Sequence, residues 1–389
     1  MKKRRIIAFF VVVVMLFQVM GIVSASESVS GTSGDFSYTV TDGKATISTY
    51  TGEDSVLTIP DTLDGYTVEK LGNNLFKNNT TLTEVVLPSG LTSIGYFTFS
   101  GCTALKTLTV NSDITSFGSS PFSGTTIENL HFGQNVSQIN RIFTDFTSLQ
   151  TITIDEENSC FTVVDQVIFS KDETMLYRYP KCLDGENYTI PETVNQICEY
   201  AFYENTSIKE VGMGEGITEI GERAFYGCSA LEKVAFPKGL LTIGDYAFAR
   251  CKMITSISLP ASLTTLENCA FNSCDSLSQL TINGTIENLA ADAFASTNIT
   301  NLHIGEEATD IDDCFLEIKT LTTITAEEDN SAYSVDEEGI LFSKDKTILY
   351  RYPVGKGGES YEIPEGVTEL GRLAFCDCDF RTKGDSASR

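Results

Sequence analysis

The sequence predicts a repeat solenoid with a parallel β-sheet along one face, and three observations predict it. A 23-residue unit recurs end to end, as in IGERAFYGCSALEKVAFPKGLLT from Ile220 and IGDYAFARCKMITSISLPASLTT from Ile243. Each unit ends in alternating apolar residues, which is typical of a short half-buried strand. Each also carries an aromatic residue at a fixed phase, and self-similarity at this period is the signature of stacked structural repeats.

The alternating run has the pattern of a leucine-rich repeat. Leu231–Phe236 and Ile254–Leu259 both place apolar residues at their first, fourth and sixth positions, which is the L-x-x-L-x-L half of that repeat. The return path, irregular or in short helical turns, contains Ala-Phe. Because one coil cannot bury its own apolar edge, we expect these Phe side chains to stack from coil to coil.

The chain begins with a segment that we expect to be removed. Lys2–Arg5 precede an almost wholly apolar run over 6–23, and small residues at 23–25 precede Ser26. This pattern predicts a signal peptide over residues 1–25 and a secreted or cell-surface protein. An uncleaved membrane anchor is the alternative, because the apolar run is near the lower limit for a spanning helix.

The rest of the chain divides into a cap, a solenoid and a tail. Residues 26–70 are expected to form an N-terminal β cap, with a hairpin turn at Asp42-Gly43. The solenoid is predicted over 71–380. Residues 381–389 lack the expected strand, so we interpret them as a non-repeat tail after an incomplete coil.

Two β-hairpin insertions interrupt the regular coils, at about 155–190 and 327–363. The segment VIFSKDETMLYRYP at Val167–Pro180 returns as ILFSKDKTILYRYP at Ile340–Pro353, 173 residues later. Apolar runs flank a polar turn in each copy, which predicts a hairpin. The chain is therefore interpreted as tandem copies of a larger, multi-coil block.

Composition limits the classes of partner. The formal net charge is −26, and removal of residues 1–25 leaves 23 basic and 53 acidic residues, a charge of −30. Such a chain is not expected to bind nucleic acid through phosphate neutralisation, nor to insert into a membrane after signal cleavage. Five of the cysteines recur three residues after the repeat Phe, as Cys228 and Cys251 do, which predicts buried free thiols. Disulfides between neighbouring coils remain the alternative.

No catalytic constellation is visible, so an enzyme is not expected and no cofactor or metal is predicted. The two histidines, His131 and His303, occupy the same strand position in separate blocks and cannot share a site. The acidic turns 155–158 and 327–330 contain oxygen ligands suited to Ca²⁺, but they match no calcium-loop motif, and a solvated turn is the preferred interpretation.

The predicted outward strand positions form the candidate binding face. They are mostly short polar side chains on a sheet, suited to a protein or glycan partner. The sixteen residues are Glu84, Thr107, Thr109, Asn129, His131, Thr151, Thr153, Glu210, Lys233, Ser256, Ser258, Gln279, Thr281, Asn301, His303 and Thr323.

The repeated Tyr-Arg-Tyr segments are a second candidate contact, because aromatic residues and Arg are favoured at binding hot spots. The alternative is that the tyrosines pack each hairpin onto the solenoid. The residues are Tyr177, Arg178, Tyr179, Tyr350, Arg351 and Tyr352.

The repeats AFYGCSALEKVAFPKGLLTIGDYAF and the block FSKDKTILYRYP closely resemble the BspA-like leucine-rich repeat proteins of bacterial surfaces, from about Leu71 to Phe380. The resemblance implies a non-enzymatic surface protein whose partners include host extracellular-matrix proteins or other bacterial cells. We therefore expect a binding module for adhesion. The alternative is a structural spacer or stalk that presents a further C-terminal domain.

Overall fold

The computed structural model describes residues 28–139, 146, 148–181, 183, 185–311, 318–356, 360–376 and 378. The expected signal peptide and the tail at 381–389 lie outside these residues. Over the described ranges the chain is a solenoid of stacked coils held by parallel β-strands, which confirms the predicted fold class. Regular helix is limited there to one 3-10 turn, Val354–Lys356.

The first six strands cover the N-terminal end of the solenoid. β1 to β3 form an antiparallel meander, and Asp42 and Gly43 join β2 to β3 with positive φ angles of 52° and 76°, as a tight hairpin turn requires. β3 then pairs in parallel with β6. The strands are β1 (Val29–Ser33), β2 (Phe36–Thr41), β3 (Lys44–Tyr50), β4 (Val56–Thr58), β5 (Thr62–Leu63) and β6 (Tyr66–Leu71).

Each following coil contributes one longer and one two-residue strand. The longer strands stack as β4-β7-β9-β11-β12, called the first ladder, and the short ones as β6-β8-β10, called the second ladder. The strands are β7 (Glu84–Val86), β8 (Ser93–Ile94), β9 (Thr107–Val110), β10 (Ser116–Phe117), β11 (Asn129–Phe132) and β12 (Thr151–Ile154).

A three-stranded antiparallel unit follows β12. Its strands are β13 (Phe161–Val164), β14 (Val167–Ser170) and β15 (Met175–Arg178). β15 pairs in parallel with the next short strand, so the hairpin leads directly into the second ladder.

Coils then resume in the same arrangement. The second ladder runs unbroken as β15-β17-β19-β21-β23-β25, whereas the first ladder has two separate parts, β16-β18-β20 and β22-β24-β26-β27. The strands are β16 (Asn187–Thr189), β17 (Gln196–Ile197), β18 (Glu210–Gly212), β19 (Glu219–Ile220), β20 (Lys233–Val234), β21 (Thr242–Ile243), β22 (Ser256–Leu259), β23 (Thr265–Leu266), β24 (Gln279–Gly284), β25 (Asn288–Leu289), β26 (Asn301–Glu307) and β27 (Thr323–Ala326).

A second antiparallel unit follows β27 and repeats the first. Its last strand pairs in parallel with the final short strand of the described chain. The strands are β28 (Tyr333–Val335), β29 (Leu341–Ser343), β30 (Ile348–Arg351) and β31 (Glu369–Leu370).

Stacked aromatic rings fill the interior at one position per coil. The rings of Phe225, Phe248 and Phe271 lie 4.9 Å and 5.3 Å apart and within 6° of parallel. Ring pairs at this separation add about 0.5–1.5 kcal/mol to what area burial supplies. The Ala-Phe position that the sequence repeats is therefore the centre of the core.

The return segments also bond from coil to coil. The N–H groups of Arg223, Phe225 and Gly227 donate to carbonyls of the next coil at 2.7–2.9 Å. Arg223 has a φ of 52° and Gly227 one of 72°. A left-handed conformation costs a non-glycine residue roughly 1–2 kcal/mol, and these inter-coil hydrogen bonds offset it.

The cysteine position caps the same return segment. The Sγ atoms of Cys228, Cys251 and Cys274 donate to the carbonyl of the repeat Phe in the preceding coil, at 3.1–3.2 Å. All three thiols are fully buried. Burial raises the pKa of Cys228 and Cys274 to about 12 and that of Cys251 well above its usual value.

Each antiparallel unit separates two parts of the core. In β14, Ile168 packs with the preceding coils, whereas Val167 and Phe169 pack with the following ones. β29 does the same, since Leu341 faces the preceding coils and Phe342 the following ones. Because strand side chains alternate between faces, one strand buried on both sides closes one core and opens the next.

We expect Phe248→Ala to destabilise the protein by about 3–5 kcal/mol, because the substitution leaves a cavity between two stacked rings. Urea unfolding followed by circular dichroism measures the loss. Phe97→Ala is the matched control, since the side chain of Phe97 is 39% exposed. Equal shifts for the two variants would show that the rings do not form the core.

The buried thiols are expected to resist alkylation. With a pKa of about 12, roughly one Cys228 thiol in ten thousand is ionised at pH 8, and only the thiolate reacts. Native protein treated with iodoacetamide should therefore label the half-exposed Cys160 first, while Cys228 and Cys274 stay unlabelled until urea is added or the pH is raised. Rapid labelling of Cys228 at pH 8 contradicts this assignment, and mass spectrometry reads out each site.

Candidate binding face

The register of the first ladder aligns the candidate residues in columns across the coils. In the first part, Glu84, Thr107, Asn129 and Thr151 lie opposite one another on successive strands. In the last part, Ser256 begins the matching column and Thr323 ends it. Adjacent strands are about 4.8 Å apart, so the columns present side chains at a fixed, short spacing.

All sixteen candidate residues point away from the core. Each is half-buried or exposed, while the strand residues between them are mostly buried. Period-two alternation explains this, since successive side chains of a strand face opposite sides of the sheet. Whether these residues bind a partner stays a prediction.

Sequence reasoning missed further members of the columns. Thr58 and Val86 continue the column of Thr109 toward the N-terminus, and Thr325 continues that of His303. Shifting the candidate positions by one repeat would have found them, because the strand register follows the 23-residue period.

Charged pairs border the columns on the side where the strands begin. Lys209 bonds Glu186 of the preceding coil at 2.6 Å, and Lys106 pairs with Glu128 of the following one. Exposed pairs of this kind contribute roughly 0–1 kcal/mol, so their main effect is to fix the charge pattern beside the face.

Each histidine joins two strands of the face. His131 contacts Thr153 Oγ1 through Nδ1 at 2.8 Å and Asp155 Oδ1 through Nε2 at 3.1 Å. A carboxylate can only accept, so Nε2 carries the proton in this contact. His303 repeats the arrangement with Thr325 at 2.9 Å and Glu327 at 3.2 Å. The sequence predicted an exposed polar residue, and the equal 24-residue spacing to the carboxylates was the signal that was overlooked.

These sets contain the residue types of a hydrolytic triad, but not its surroundings. The Thr, His and carboxylate groups lie half-exposed on an open sheet, whereas a nucleophile acts with convergent oxyanion donors and a positioned substrate. Among the described residues, no three His, Cys, Asp or Glu side chains converge as metal ligands. The arrangement is suited to hydrogen bonding with a partner rather than to covalent chemistry.

The acidic turns after β12 and β27 are fixed by buried asparagines. The amide of Asn158 donates to the carbonyls of Gly133 and Val136 at 3.0 and 2.8 Å, and its Oδ1 accepts from two backbone N–H groups. Asn330 makes the same four bonds. Both amides are thus committed to backbone, which leaves only the exposed carboxylates of these turns for solvent or a partner.

The second candidate contact requires a correction. Arg178, Tyr179, Arg351 and Tyr352 are buried, with Arg178 only 2% exposed. Tyr179 stacks on Phe202 at 5.0 Å, in the place of a repeat Phe. These side chains are packing groups of the solenoid, because a partner cannot reach a buried side chain.

The outer tyrosines of these segments are half-buried and also pack locally. The ring of Tyr177 meets Phe161 edge-on at 5.0 Å, and the ring of Tyr350 meets Tyr333 at 5.2 Å. The packing alternative therefore describes the geometry of both hairpins.

Comparison with known families agrees with this geometry. A model of the BspA type leucine rich repeat region, in six copies, matches residues 69–177, 172–289 and 242–337, which together span more than half of the chain. The chain belongs to the BspA-type leucine-rich repeat family. Leucine-rich repeat proteins bind other proteins, and families of this type are generally binding scaffolds without enzymatic activity.

Solved structures share the fold. The pneumococcal vaccine antigen PcpA is 23% identical, with a TM-score of 0.58 over 77% of this chain and 94% of that one. A leucine-rich repeat protein from Eubacterium ventriosum ATCC 27560 is 19% identical, with a TM-score of 0.52 over 80% and 99%. A search of curated proteins finds no match. In the part of the chain that the structure describes, no helix has the length and apolar character of a membrane span.

We expect Arg178→Ala to lower stability by about 1–3 kcal/mol, because its buried Nη1 donates to the carbonyl of Tyr200 at 2.5 Å. The midpoint of urea unfolding measures the effect. Lys171→Ala in the same hairpin is the control, since Lys171 is exposed. If the two variants unfold at the same urea concentration, the arginine is not a packing group.

Proposed function

We propose that this protein is a secreted or cell-surface adhesion module that holds an extracellular protein partner on the first-ladder face. The observation that carries the proposal is the alignment of short polar side chains in columns across the coils. Beneath them the strands are anchored by a buried core, so little ordering is needed when a partner binds.

Location outside the cell is supported by the sequence at the N-terminus. The basic residues and apolar run over 1–25 have the pattern of a signal peptide. The pneumococcal protein of the same fold is a vaccine antigen. The strong acidity of the chain keeps an exported protein soluble, and directs the search toward protein surfaces rather than nucleic acid.

Side-chain chemistry favours a protein partner over a charged polymer. The columns are dominated by Thr, Ser, Asn and Gln, which donate and accept hydrogen bonds without a net charge. Binding through such groups tolerates salt, because screening acts on charges. Extracellular-matrix proteins are the first class to test, with mucin glycans and bacterial cells beside them.

We expect four lysines on the face to abolish binding without unfolding the protein. The variant combines Thr107→Lys, Asn129→Lys, Gln279→Lys and Asn301→Lys, which places bulk and charge in both parts of the face. Surface substitutions of this kind change stability by roughly 0.5 kcal/mol or less each. Surface plasmon resonance on immobilised matrix proteins measures binding, and thermal unfolding checks the fold.

The matched control places four lysines on exposed return-segment positions of the same two regions: Ser119→Lys, Ser123→Lys, Ala291→Lys and Ser296→Lys. It should bind as the original chain does. Undiminished binding by the face variant overturns the proposed site, and equal loss in both variants shows a general charge effect.

A further inference from the structure

The first ladder is interrupted between β20 and β22, although no residues are inserted there. Lys233–Val234 pairs only with β18, and Ser256–Leu259 pairs only with β24. On the opposite side of the same coils, β19, β21 and β23 pair without a break. The two coils are therefore joined at the back and separated at the binding face.

Hydrogen bonds locate the gap more closely. Lys233 donates its N–H to Lys209 of the preceding coil, and Gln279 donates to Thr255. The equivalent bond from Ser256 to Glu232 is missing, and across residues 229–262, all of which are described, no backbone hydrogen bond joins the two strands. Two strand edges with unpaired polar groups thus face each other across the gap, which we call the slot, formed by Lys233–Phe236 and Ser256–Leu259.

The floor of the slot is apolar. Val234 and Phe236 are half-buried, whereas Ile257 and Leu259, at the same positions of the next coil, are buried. The Phe236 ring reaches the ring stack and meets Phe248 edge-on at 5.5 Å. Because a Phe and not a Leu fills this position, the interior is wedged open and part of the core is accessible from the face.

Charge around the slot differs from that of the chain as a whole. The strand-side segments 229–238 and 251–262 carry three lysines and one glutamate, a formal charge of +2, in a chain of −26. Lys233 and Lys252 are exposed, and the contact of Lys252 with Asp275 is long, at 3.7 Å. Met253, 48% exposed, adds a flexible apolar side chain beside the opening.

We infer that the slot docks an extended segment of a protein partner, with an apolar side chain at its centre and acidic residues at its ends. An unpaired strand edge recruits another strand, because only an extended backbone supplies donors and acceptors at the matching spacing. The apolar side chain of the segment contacts Val234 and Phe236, and its acidic ends meet the lysines. The inference deepens the proposed function and rests on it, since it names the part of the partner that is bound.

The probe is a fluorescein-labelled peptide of alternating valine and threonine with two glutamates at each end, titrated with the full chain and followed by fluorescence anisotropy. We expect saturable binding. N-methylation of the threonines removes donors from one peptide edge, and we expect this to weaken binding by about tenfold or more. Lysines in place of the glutamates should have a similar effect. Equal binding of all three peptides overturns the inference.

A variant that closes the slot tests the location. It copies the next coil and combines Lys233→Ser, Val234→Ile, Ala235→Ser and Phe236→Leu. We expect it to fold and to lose peptide binding by about tenfold or more, while Lys233→Ser alone gives the part of the loss that is due to charge. Retained peptide binding by the four-site variant contradicts docking in the slot.

Hydrogen exchange of the free protein provides a second measurement. The amides of Ser256 and Ser258 should exchange much faster than those of Gln279 and Thr281, and become protected when the peptide is added. Equal protection in the free chain shows that no slot exists. A matrix-protein partner that is lost with the four face lysines but kept by the slot-closing variant leaves the proposed function intact and overturns only the slot.

Discussion

One ring stacked on the next, at one position per 23 residues, is the constraint on which the solenoid depends. The separation of about 5 Å between Phe225, Phe248 and Phe271 equals the spacing of strands in a sheet. A coil that pairs its strands with a neighbour therefore brings the two rings into contact without adjustment. Both ladders and the return-segment hydrogen bonds follow the same period, so each supports the register of the others.

The hairpins show how strongly this constraint acts. Where a hairpin replaces the start of a regular coil, Tyr179 takes the place of the Phe and stacks on Phe202, and Tyr352 stacks on Phe375 in the same way. β14 and β29 meanwhile divide the core into separate clusters. Stacking continues through the interruption, while the apolar interior is closed on one side and begun again on the other.

Features that repeat over several residues could be predicted from the sequence. The strands of the first ladder follow from alternation in segments such as Ile254–Leu259, and the interior position of Phe248 follows from its fixed phase. The columns of the candidate face follow from the same alternation. Their role in binding is a separate matter, because exposure and polarity are shared by any solvated strand.

Other features gave too little signal. The second ladder uses strands of two residues, such as Thr242–Ile243, and a period of two cannot be recognised in so short a run. Positive φ at Arg223 arises from hydrogen bonds with the next coil, which propensity does not report. Arg178 was expected to be accessible because Arg is mostly exposed, but the hairpin packs over it.

The slot was hidden for a different reason. Val234 and Phe236 have the same alternation as Ile257 and Leu259, so the pattern predicts two equivalent strands. Side-chain size, and not polarity, separates them: a Phe at this position packs edge-on against Phe248 and Phe271. Close-packed interiors respond to volume as well as to hydrophobicity, and a binary pattern does not contain volume.

Regular repetition and specific recognition make opposite demands on such a surface. Identical coils would present identical columns, and a partner could then bind in several registers shifted by one coil with equal energy. Specificity needs positions at which the period fails, because only these distinguish one register from the next. The slot between β20 and β22 and the hairpin between β12 and β16 are such positions on the first-ladder face. An extended segment that enters the slot fixes the register of everything bound along the columns beside it, so the interruption gives the face a defined origin that its regular strands cannot supply.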